Sequence, residues 1–250
     1  MKKLSDLDRL ALRHRPEGQP IMHQSWGKLL FMHWRIDEDL LRPLIPDELE
    51  IDTFDGSAWI GVVPFTMWDI RPFPPLLPAV PGFSAMHELN VRTYVYYDNV
   101  PGVWFFSLDC ESSAAVLAAR TFFHLPYYNA EMQLDQKDNV IDYASSRTEE
   151  PEAEFSAQWE IGETRAFSQP GSLDFFLTER YCLYSADDDD KLYRARIHHE
   201  PWPLQKAKLN SYKSTMIEVL DLPTPKSDPL LHYAELVNVD IWRLRDVDEG

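Results

Sequence analysis

The chain has 250 residues, and its composition excludes several classes of protein. Its formal net charge of −17 argues against nucleic acid or an anionic membrane as the main partner, because both need a clustered basic surface. No apolar run is long enough to cross a bilayer, and the charged start, Met1 to Asp8, is not typical of a signal peptide. The two cysteines, Cys110 and Cys182, are then expected to be reduced core residues. These features together predict a cytoplasmic protein without a membrane partner.

The first part of the chain predicts short helices and strands that alternate. Capping residues, turn dipeptides and hydrophobic spacing indicate, in order, a helix over 4–14 capped by Ser5, a strand over 26–34, a helix begun by Asp37, and a hairpin turning at Asp55-Gly56. Prolines make residues 71–82 an irregular apolar loop, interpreted either as the rim of a pocket or as a packed connection. Residues 1–20 are expected to form a helical arm or lid across the domain.

A hairpin over residues 88–110 has the most unusual pattern in the sequence. Turn-forming residues over 98–102 separate two runs rich in aromatic and β-branched residues. Alternation of side chains predicts one shared face for the polar residues of both strands: Glu88, Asn90, Arg92, Ser107 and Asp109. An isolated buried charge costs several kcal/mol, so charges among aromatics need partners or water. This face therefore predicts either a structural ion pair or a pocket.

The second part of the chain continues with strands. The predicted elements are a helix over 112–123, strands over 131–136, 140–146 and 154–160, a helical turn over 171–180, a hairpin pairing 181–184 with 192–198, and a closing strand over 231–242. The acidic runs 149–154 and 187–190 are expected to be solvated loops. No linker divides the chain, so residues 1–250 are predicted to be a single domain. Its main part, residues 21–245, is expected to be mainly β, a barrel or curled antiparallel sheet with a few short helices.

Several segments resemble a known family: Phe31 to Asp52, Glu88 to Val95, Trp104 to Asp109, Leu177 to Tyr184 and His199 to Leu204. They are similar to the YqjF-like proteins, a family of uncharacterised function that resembles acetoacetate decarboxylase. Two patterns are shared with that enzyme, namely an Arg-led helix ending in Pro-x-x-Leu-Glu-Ile-Asp, here Arg35 to Asp52, and a Tyr-x-Asp-Asn-x-Pro hairpin, here Tyr96 to Pro101. The resemblance implies a closed or curled antiparallel β-barrel with a central pocket.

The resemblance fails at the lysine on which the decarboxylase depends. That enzyme forms a Schiff base through a lysine whose pKa is lowered by a second lysine, and the corresponding stretch here is Glu111 to Val116. No lysine lies between Lys28 and Lys137. An enzyme of this sequence is therefore not expected to be a Schiff-base decarboxylase. Whether Lys206 or Lys208 reaches the pocket is left open, although lysines are mostly exposed.

The candidate site residues fall into two roles. Glu88 and Asp109 are the candidates for a general base. The predicted contacts with a substrate are Arg92, Asn90, Arg120, Tyr127 and Arg180. A guanidinium matches a carboxylate or phosphate in a fork geometry, which favours Arg92 as the anchor of an acid. The alternatives are a buried structural pair between Arg92 and an acid, and an aromatic corner around Arg120 and Tyr127.

Two classes of function are consistent with these residues. One is an enzyme that acts on a small organic acid by acid–base chemistry. The other is a binding or sensory barrel that holds such an acid without reaction. Neither class predicts a cofactor or a metal, and the sequence contains no glycine-rich phosphate loop and no Ser-His-Asp elbow. The sequence does not indicate an oligomeric state.

Overall fold

A computed structural model describes residues 4–72 and 85–249, and these ranges are mainly β. The helices are α1 (Asp6–Ala11), α2 (Glu38–Leu41), α3 (Ser113–Phe123) and α4 (Leu173–Thr178), with short 3-10 turns at Arg42–Leu44, Glu218–Leu220 and Val247–Glu249. The strands are β1 (Met22–Ile36), β2 (Glu50–Ile51), β3 (Ala58–Pro72), β4 (Ala85–Tyr97), β5 (Val100–Cys110), β6 (Tyr127–Lys137), β7 (Val140–Arg147), β8 (Glu154–Thr164), β9 (Cys182–Ala186), β10 (Leu192–His199), β11 (Leu204–Ser214), β12 (Leu230–Ile241) and β13 (Arg245–Asp246). None of the helices in these ranges has the length and apolar character that spanning a membrane requires.

The strands form one curled sheet in the order β13-β10-β9-β5-β6-β7-β8-β11-β12-β1-β3-β4-β2. Two additional pairings, β4 with β5 and β10 with β12, join strands that are distant in this order. Following the hydrogen bonds from β4 through β3, β1, β12, β10, β9 and β5 therefore leads back to β4. The predicted mainly β, curled sheet with a few short helices is confirmed. It is antiparallel except where β5 pairs in parallel with β6 and with β9.

The β4–β5 hairpin forms as predicted, with a tighter turn than the sequence suggested. Tyr97 pairs with Val100, which leaves Asp98 and Asn99 as a two-residue turn. Both have positive φ, 45° and 60°, the backbone that a type I′ turn requires and that Asp and Asn tolerate. The turn fixes the start of the register of the two strands.

Strand β1 buries side chains on both of its faces, which explains why it is apolar at successive positions. Leu30 and Met32 of β1 pack in a core with side chains of β7 and β8, such as Tyr143 and Trp159. The odd-numbered Leu29 and Phe31 pack in a second core with residues of β3, β12 and α3. A strand covered on both faces reads as a continuous apolar run, so the predicted central strand is confirmed.

Three features differ from the sequence-based expectations. The tight turn at Asp55-Gly56 is present and Phe54 bridges to Ser57, but β2 pairs with β4 and not with β3. Strand β11 was not predicted, because few apolar residues mark it. Its outer side chains are largely exposed and it pairs mainly with β8. Of the predicted irregular loop over 71–82, Arg71 and Pro72 are instead the last residues of β3, and residues 73–82 lie outside the described residues.

Candidate functional site

A cavity of about 180 Å³ lies between β1, β3, β4, β5 and α3. An apolar cavity of ~150 Å³ is enough to take up benzene, so this one has room for a small organic molecule. Most of the lining side chains are apolar. Besides two tryptophans, the polar members within the described part of the chain are Gln24, Glu88, Asn90, Arg92 and Tyr127. Mostly apolar walls with a few convergent polar groups are typical of a small-molecule site.

Strand β4 supplies three of the polar residues because side chains alternate along it. Glu88, Asn90 and Arg92 point into the cavity, while the residues between them, Leu89 and Val91, are buried in the core on the other face. Glu88 and Asn90 are only 3% and 4% exposed. The expected shared face for these three residues is confirmed.

Glu88 and Tyr127 form the shortest contact in the cavity wall. The Tyr127 hydroxyl donates a hydrogen bond of 2.5 Å to Oε2 of Glu88. Burial raises the pKa of Glu88 to about 7, against the opposing influence of hydrogen bonds from Tyr127 and Asn90 and of the charge on Arg92. Burial, and then the charge on Glu88, raise the pKa of Tyr127 well above its usual value. Glu88 can therefore accept or release a proton near neutral pH, whereas Tyr127 stays a donor.

Arg92 has no carboxylate within ion-pair distance among the described residues. Its guanidinium carbon lies 5.2 Å from the centre of the Phe31 ring, and its Nε is buried without a hydrogen-bond partner in the described chain. The Oδ1 atom of Asn90 is buried and unpartnered in the same way. The alternative of a structural pair between Arg92 and an acid is not observed in these ranges. The cavity wall thus offers an unneutralised cation and a free amide oxygen.

The expectation that Ser107 and Asp109 share the face of Glu88 is wrong. Val91 pairs with Ser107 but Arg92 pairs with Phe105, so Phe106 is a one-residue bulge that reverses the alternation of β5. Asp109 therefore lies opposite Leu89, on the other face of the sheet, and does not line the cavity.

Asp109 is instead part of a buried ion pair. Nε and Nη2 of Arg147 donate hydrogen bonds of 3.1 and 2.8 Å to its Oδ1. Both side chains are at most 1% exposed, and the Arg147 guanidinium stacks at 3.9 Å on the ring of Tyr128. Burial raises the pKa of Asp109 to about 6, although Arg147 favours the ionised form. This ion pair links β7 to β5.

Arg120 and Arg180 do not line the cavity either. Arg120 is exposed and donates to the carbonyl oxygen of Tyr127, at 2.7 Å, and to Glu149. It therefore supports the backbone of a lining residue from outside. Arg180 is buried, as expected for a residue that enters the interior. It donates to Asp52 at 2.7 Å and lies 4.6 Å above the ring of Tyr94.

Sequence reasoning missed Gln24, which lines the cavity, and the buried residue His33. Nε2 of His33 lies 2.6 Å from the hydroxyl of Tyr94, which itself donates to the carbonyl oxygen of Leu177 at 2.7 Å. The hydroxyl must then accept from His33, so this hydrogen bond assigns the proton to Nε2. Burial, and then the charges on Arg92 and other neighbours, lower the pKa of His33 well below its usual value. A histidine in a strand that is apolar on both faces was the only available signal.

Lysine is not among the cavity-lining residues that the structure describes. Lys206 and Lys208 are exposed on β11, and Lys206 contacts Glu163 at 3.1 Å. In the same ranges no group of three or more His, Cys, Asp or Glu side chains is placed to hold a metal ion. The chemistry that the cavity itself can supply is therefore that of a carboxyl group, an amide, a phenol and a guanidinium.

The sequence matches a family model named DUF2071, described as an uncharacterized conserved protein, over residues 23–238. A relative in Bacillus subtilis (strain 168), the uncharacterized protein YqjF, is 45% identical over 230 residues, which cover 92% of this chain and 94% of that protein. The predicted resemblance to the YqjF-like proteins is confirmed by both findings.

Solved structures with a similar fold include the enduracididine biosynthesis enzyme MppR in complex with pyruvate, with a TM-score of 0.66, 12% identity, and coverage of 92% of this chain and 91% of MppR. An acetoacetate decarboxylase has a TM-score of 0.63 at 14% identity, covering 93% and 90% of the two chains. The acetoacetate decarboxylase of Legionella pneumophila has a TM-score of 0.59 at 12% identity, covering 99% and 98%. Identities this low show the fold alone. The chain therefore belongs to the DUF2071 family of YqjF-like proteins, and its fold is that of the acetoacetate decarboxylase-like proteins.

Proposed function

We propose that the protein binds a small organic acid in the cavity, with the carboxylate of the ligand on Arg92. The observation that carries the proposal is the unneutralised guanidinium of Arg92 in a mostly apolar wall. A charge in such surroundings is unfavourable unless it is paired, and a bound carboxylate supplies the missing partner in a fork geometry. The remaining apolar walls would hold the hydrocarbon part of the acid.

The names of the structural relatives favour an oxo acid as the ligand. The MppR structure contains pyruvate, and the decarboxylases are named for acetoacetate. Both compounds are short acids with a carbonyl group near the carboxylate. With the carboxylate of the acid on Arg92, such a carbonyl would contact Asn90 or Glu88. Both residues precede Arg92 on β4 and line the same cavity.

The proposal excludes Schiff-base chemistry for this protein. The described part of the cavity wall contributes no lysine, and the exposed Lys206 and Lys208 lie outside it. Chemistry on the acid would then proceed by proton transfer, without a cofactor. Binding without any reaction, as in a sensory protein, is the second candidate, and it is favoured by the apolar character of most of the wall. We also place the protein in the cytoplasm, consistent with two free and buried cysteines.

The experiment is a comparison of ligand binding between acids and their amides. Calorimetry and thermal shift with a panel of short 2-oxo, 3-oxo and 2-hydroxy acids should detect binding, whereas the matching amides should bind weakly. Loss of a charge-assisted hydrogen bond is worth about 1.5–3 kcal/mol, so Arg92→Met should weaken binding roughly 10- to 100-fold. Arg245→Met, which removes an exposed guanidinium outside the cavity, is the matched control.

Two further measurements separate the candidates. Turnover assays on the acids that bind distinguish an enzyme from a sensory protein. Borohydride reduction in the presence of an oxo acid should leave the protein mass unchanged, and a lysine adduct would contradict the exclusion of Schiff-base chemistry. Binding of acids that is unaffected by Arg92→Met would refute the assignment of the anchor.

A further inference from the structure

Resting on that proposed function, we propose that the cavity enolises 2-oxo acids, with Glu88 as the general base and Asn90 as the donor to the developing enolate oxygen. The protein would then move protons on the carbon next to the carbonyl, as a tautomerase or isomerase does. The acids best suited to the site are those whose third carbon has an apolar substituent.

The order of groups along one strand carries this inference. Glu88, Asn90 and Arg92 occupy alternate positions of β4 and all line the cavity. Alternate residues of a strand are about 6.6 Å apart at the backbone, so the side chains of Glu88 and Arg92 must converge to reach one ligand. They line the same cavity, and the charge on Arg92 lowers the pKa of Glu88, which agrees with such convergence. A carboxylate held by Arg92 would set the adjacent carbonyl beside Asn90 and the next carbon nearer to Glu88. This sequence of groups matches the order of atoms in a 2-oxo acid.

The proposed step conserves atoms and electrons without a co-reactant. The carboxylate of Glu88 takes a proton from C3, and the electrons of the broken C–H bond form the C2–C3 double bond. The electrons of the former carbonyl π bond move to oxygen, where the second N–H of Asn90, next to the one that donates to Glu88, donates to the enolate. Protonated Glu88 then returns the proton to the oxygen, which gives the enol, or to C3, which restores the ketone.

The surroundings of Glu88 suit a base that works in both directions. The group is buried, and Tyr127 donates to Oε2 at 2.5 Å, which holds the carboxyl group in one orientation. Tyr127 is therefore a positioning residue. The elevated pKa of Glu88, about 7, agrees with a group that exchanges protons near neutrality.

The wall formed by α3 indicates the substituent that the site accepts. The helix presents Ala115, Ala118 and Ala119 to the cavity, and small side chains leave space for a branched or aromatic group. Phe105 and Trp202 extend the apolar surface. A charged or strongly hydrated substituent would lose its water here without gaining a partner.

The test follows hydrogen–deuterium exchange at C3 by proton NMR in D₂O, with 4-methyl-2-oxopentanoate as the probe. Wild-type protein should accelerate the exchange beyond buffer alone. General bases contribute roughly 10²- to 10⁴-fold, so Glu88→Gln should lower the protein-dependent rate at least ~100-fold while the probe still binds. Glu163→Gln, on the exposed end of β8, is the matched control and should exchange at the wild-type rate. The isomer 3,3-dimethyl-2-oxobutanoate has no hydrogen on C3 and should bind without exchange.

The variant Tyr127→Phe tests whether Tyr127 acts on Glu88 or only supports the fold, because only the first role changes how the exchange rate depends on pH. Its hydrogen bond lowers the pKa of Glu88, so its removal should move the rise of the exchange rate to higher pH. Binding of the probe without accelerated exchange would overturn the enolisation and leave the proposed function standing. Absence of binding by any acid would refute the proposed function itself. Exchange that survives Glu88→Gln, or a borohydride-trapped lysine, would also overturn the inference.

Discussion

Glu88 combines deep burial with an ionisable group, and this conflict has a consequence for stability. Its pKa is about 7 in the folded protein, compared with an ordinary value of 4.5. The folded state therefore keeps a proton that the unfolded chain releases above pH 4.5. By linkage, the contribution of this group to stability is complete below that pH and declines as the pH rises through 7.

The variant Glu88→Gln removes this pH dependence. It should gain stability over wild type at about pH 8, by up to ~3 kcal/mol, because folding raises the pKa of Glu88 from 4.5 to about 7, and it should gain little near pH 4.5. Urea denaturation at both pH values measures the difference. Glu131→Gln, at an exposed position of β6, serves as the control. An equal effect at the two pH values would mean that the pKa of Glu88 in the folded protein does not differ from its ordinary value.

The ion pair between Asp109 and Arg147 should behave differently from a cavity residue. Arg147→Met leaves a buried carboxylate without its cation, and breaking such a pair costs about 3–5 kcal/mol. The double variant Asp109→Leu with Arg147→Met removes both charges and should recover most of that loss. Denaturant unfolding of the single and double variants gives the coupling energy. Equal stability of wild type and Arg147→Met would show that this pair contributes nothing to the fold.

At the scale of elements, β5 shows where the alternation of side chains no longer predicts on which face of the sheet a residue lies. The sequence predicts β4 and its inward residues correctly, because Glu88, Asn90 and Arg92 follow the alternation without interruption. The bulge at Phe106 reverses the face of every later residue of β5. The local run Trp104 to Ser107 contains no glycine or other bulge signal. The position of Asp109 therefore depends on pairing with β4, which local sequence does not encode.

Strands β1 and β12 approach each other closely at Gly27, so a side chain at this position should destabilise the sheet. A Cβ atom at this position would overlap the carbonyl oxygen of Glu235 and lie 2.7 Å from the ring of Trp68. Gly27→Ala should therefore force the two strands apart and destabilise the protein by about 1–3 kcal/mol. Thermal unfolding measures the loss. Ser25→Ala, two residues earlier on β1, loses one exposed hydrogen bond to Asn238 and should cost less than ~1 kcal/mol.

At the scale of the whole molecule, the sequence predicts the class of fold better than it predicts which strands pair with each other. Hydrophobic patterning and the family resemblance identify a mainly β, curled sheet. The pairings of β12 with β1 and β10, and of β5 with β9, then bring distant segments together. Strand β2 pairs with β4 and β11 with β8, and neither partner is indicated by local sequence. The cavity exists only because these long-range pairings curl the sheet.

The charge of the whole chain predicts a response to salt. A net charge of −17 destabilises the compact state through self-repulsion. Raising ionic strength from ~0.01 to ~0.15 M shortens the Debye length from about 30 to about 8 Å, so the melting temperature should increase. Differential scanning calorimetry in sodium chloride and in choline chloride separates screening from specific ion binding. A melting temperature that falls with both salts would contradict the prediction.

The alternation of β4 has a consequence for how this protein can change over generations. Each cavity residue of the run from Glu88 to Arg92 is adjacent in sequence to a residue buried in the opposite core. A single substitution at Glu88, Asn90 or Arg92 therefore alters the polar groups of the cavity wall and leaves the core contacts of Leu89 and Val91 in place. The wall of the cavity can change one codon at a time on an unchanged scaffold. Such changes require no rearrangement of the sheet.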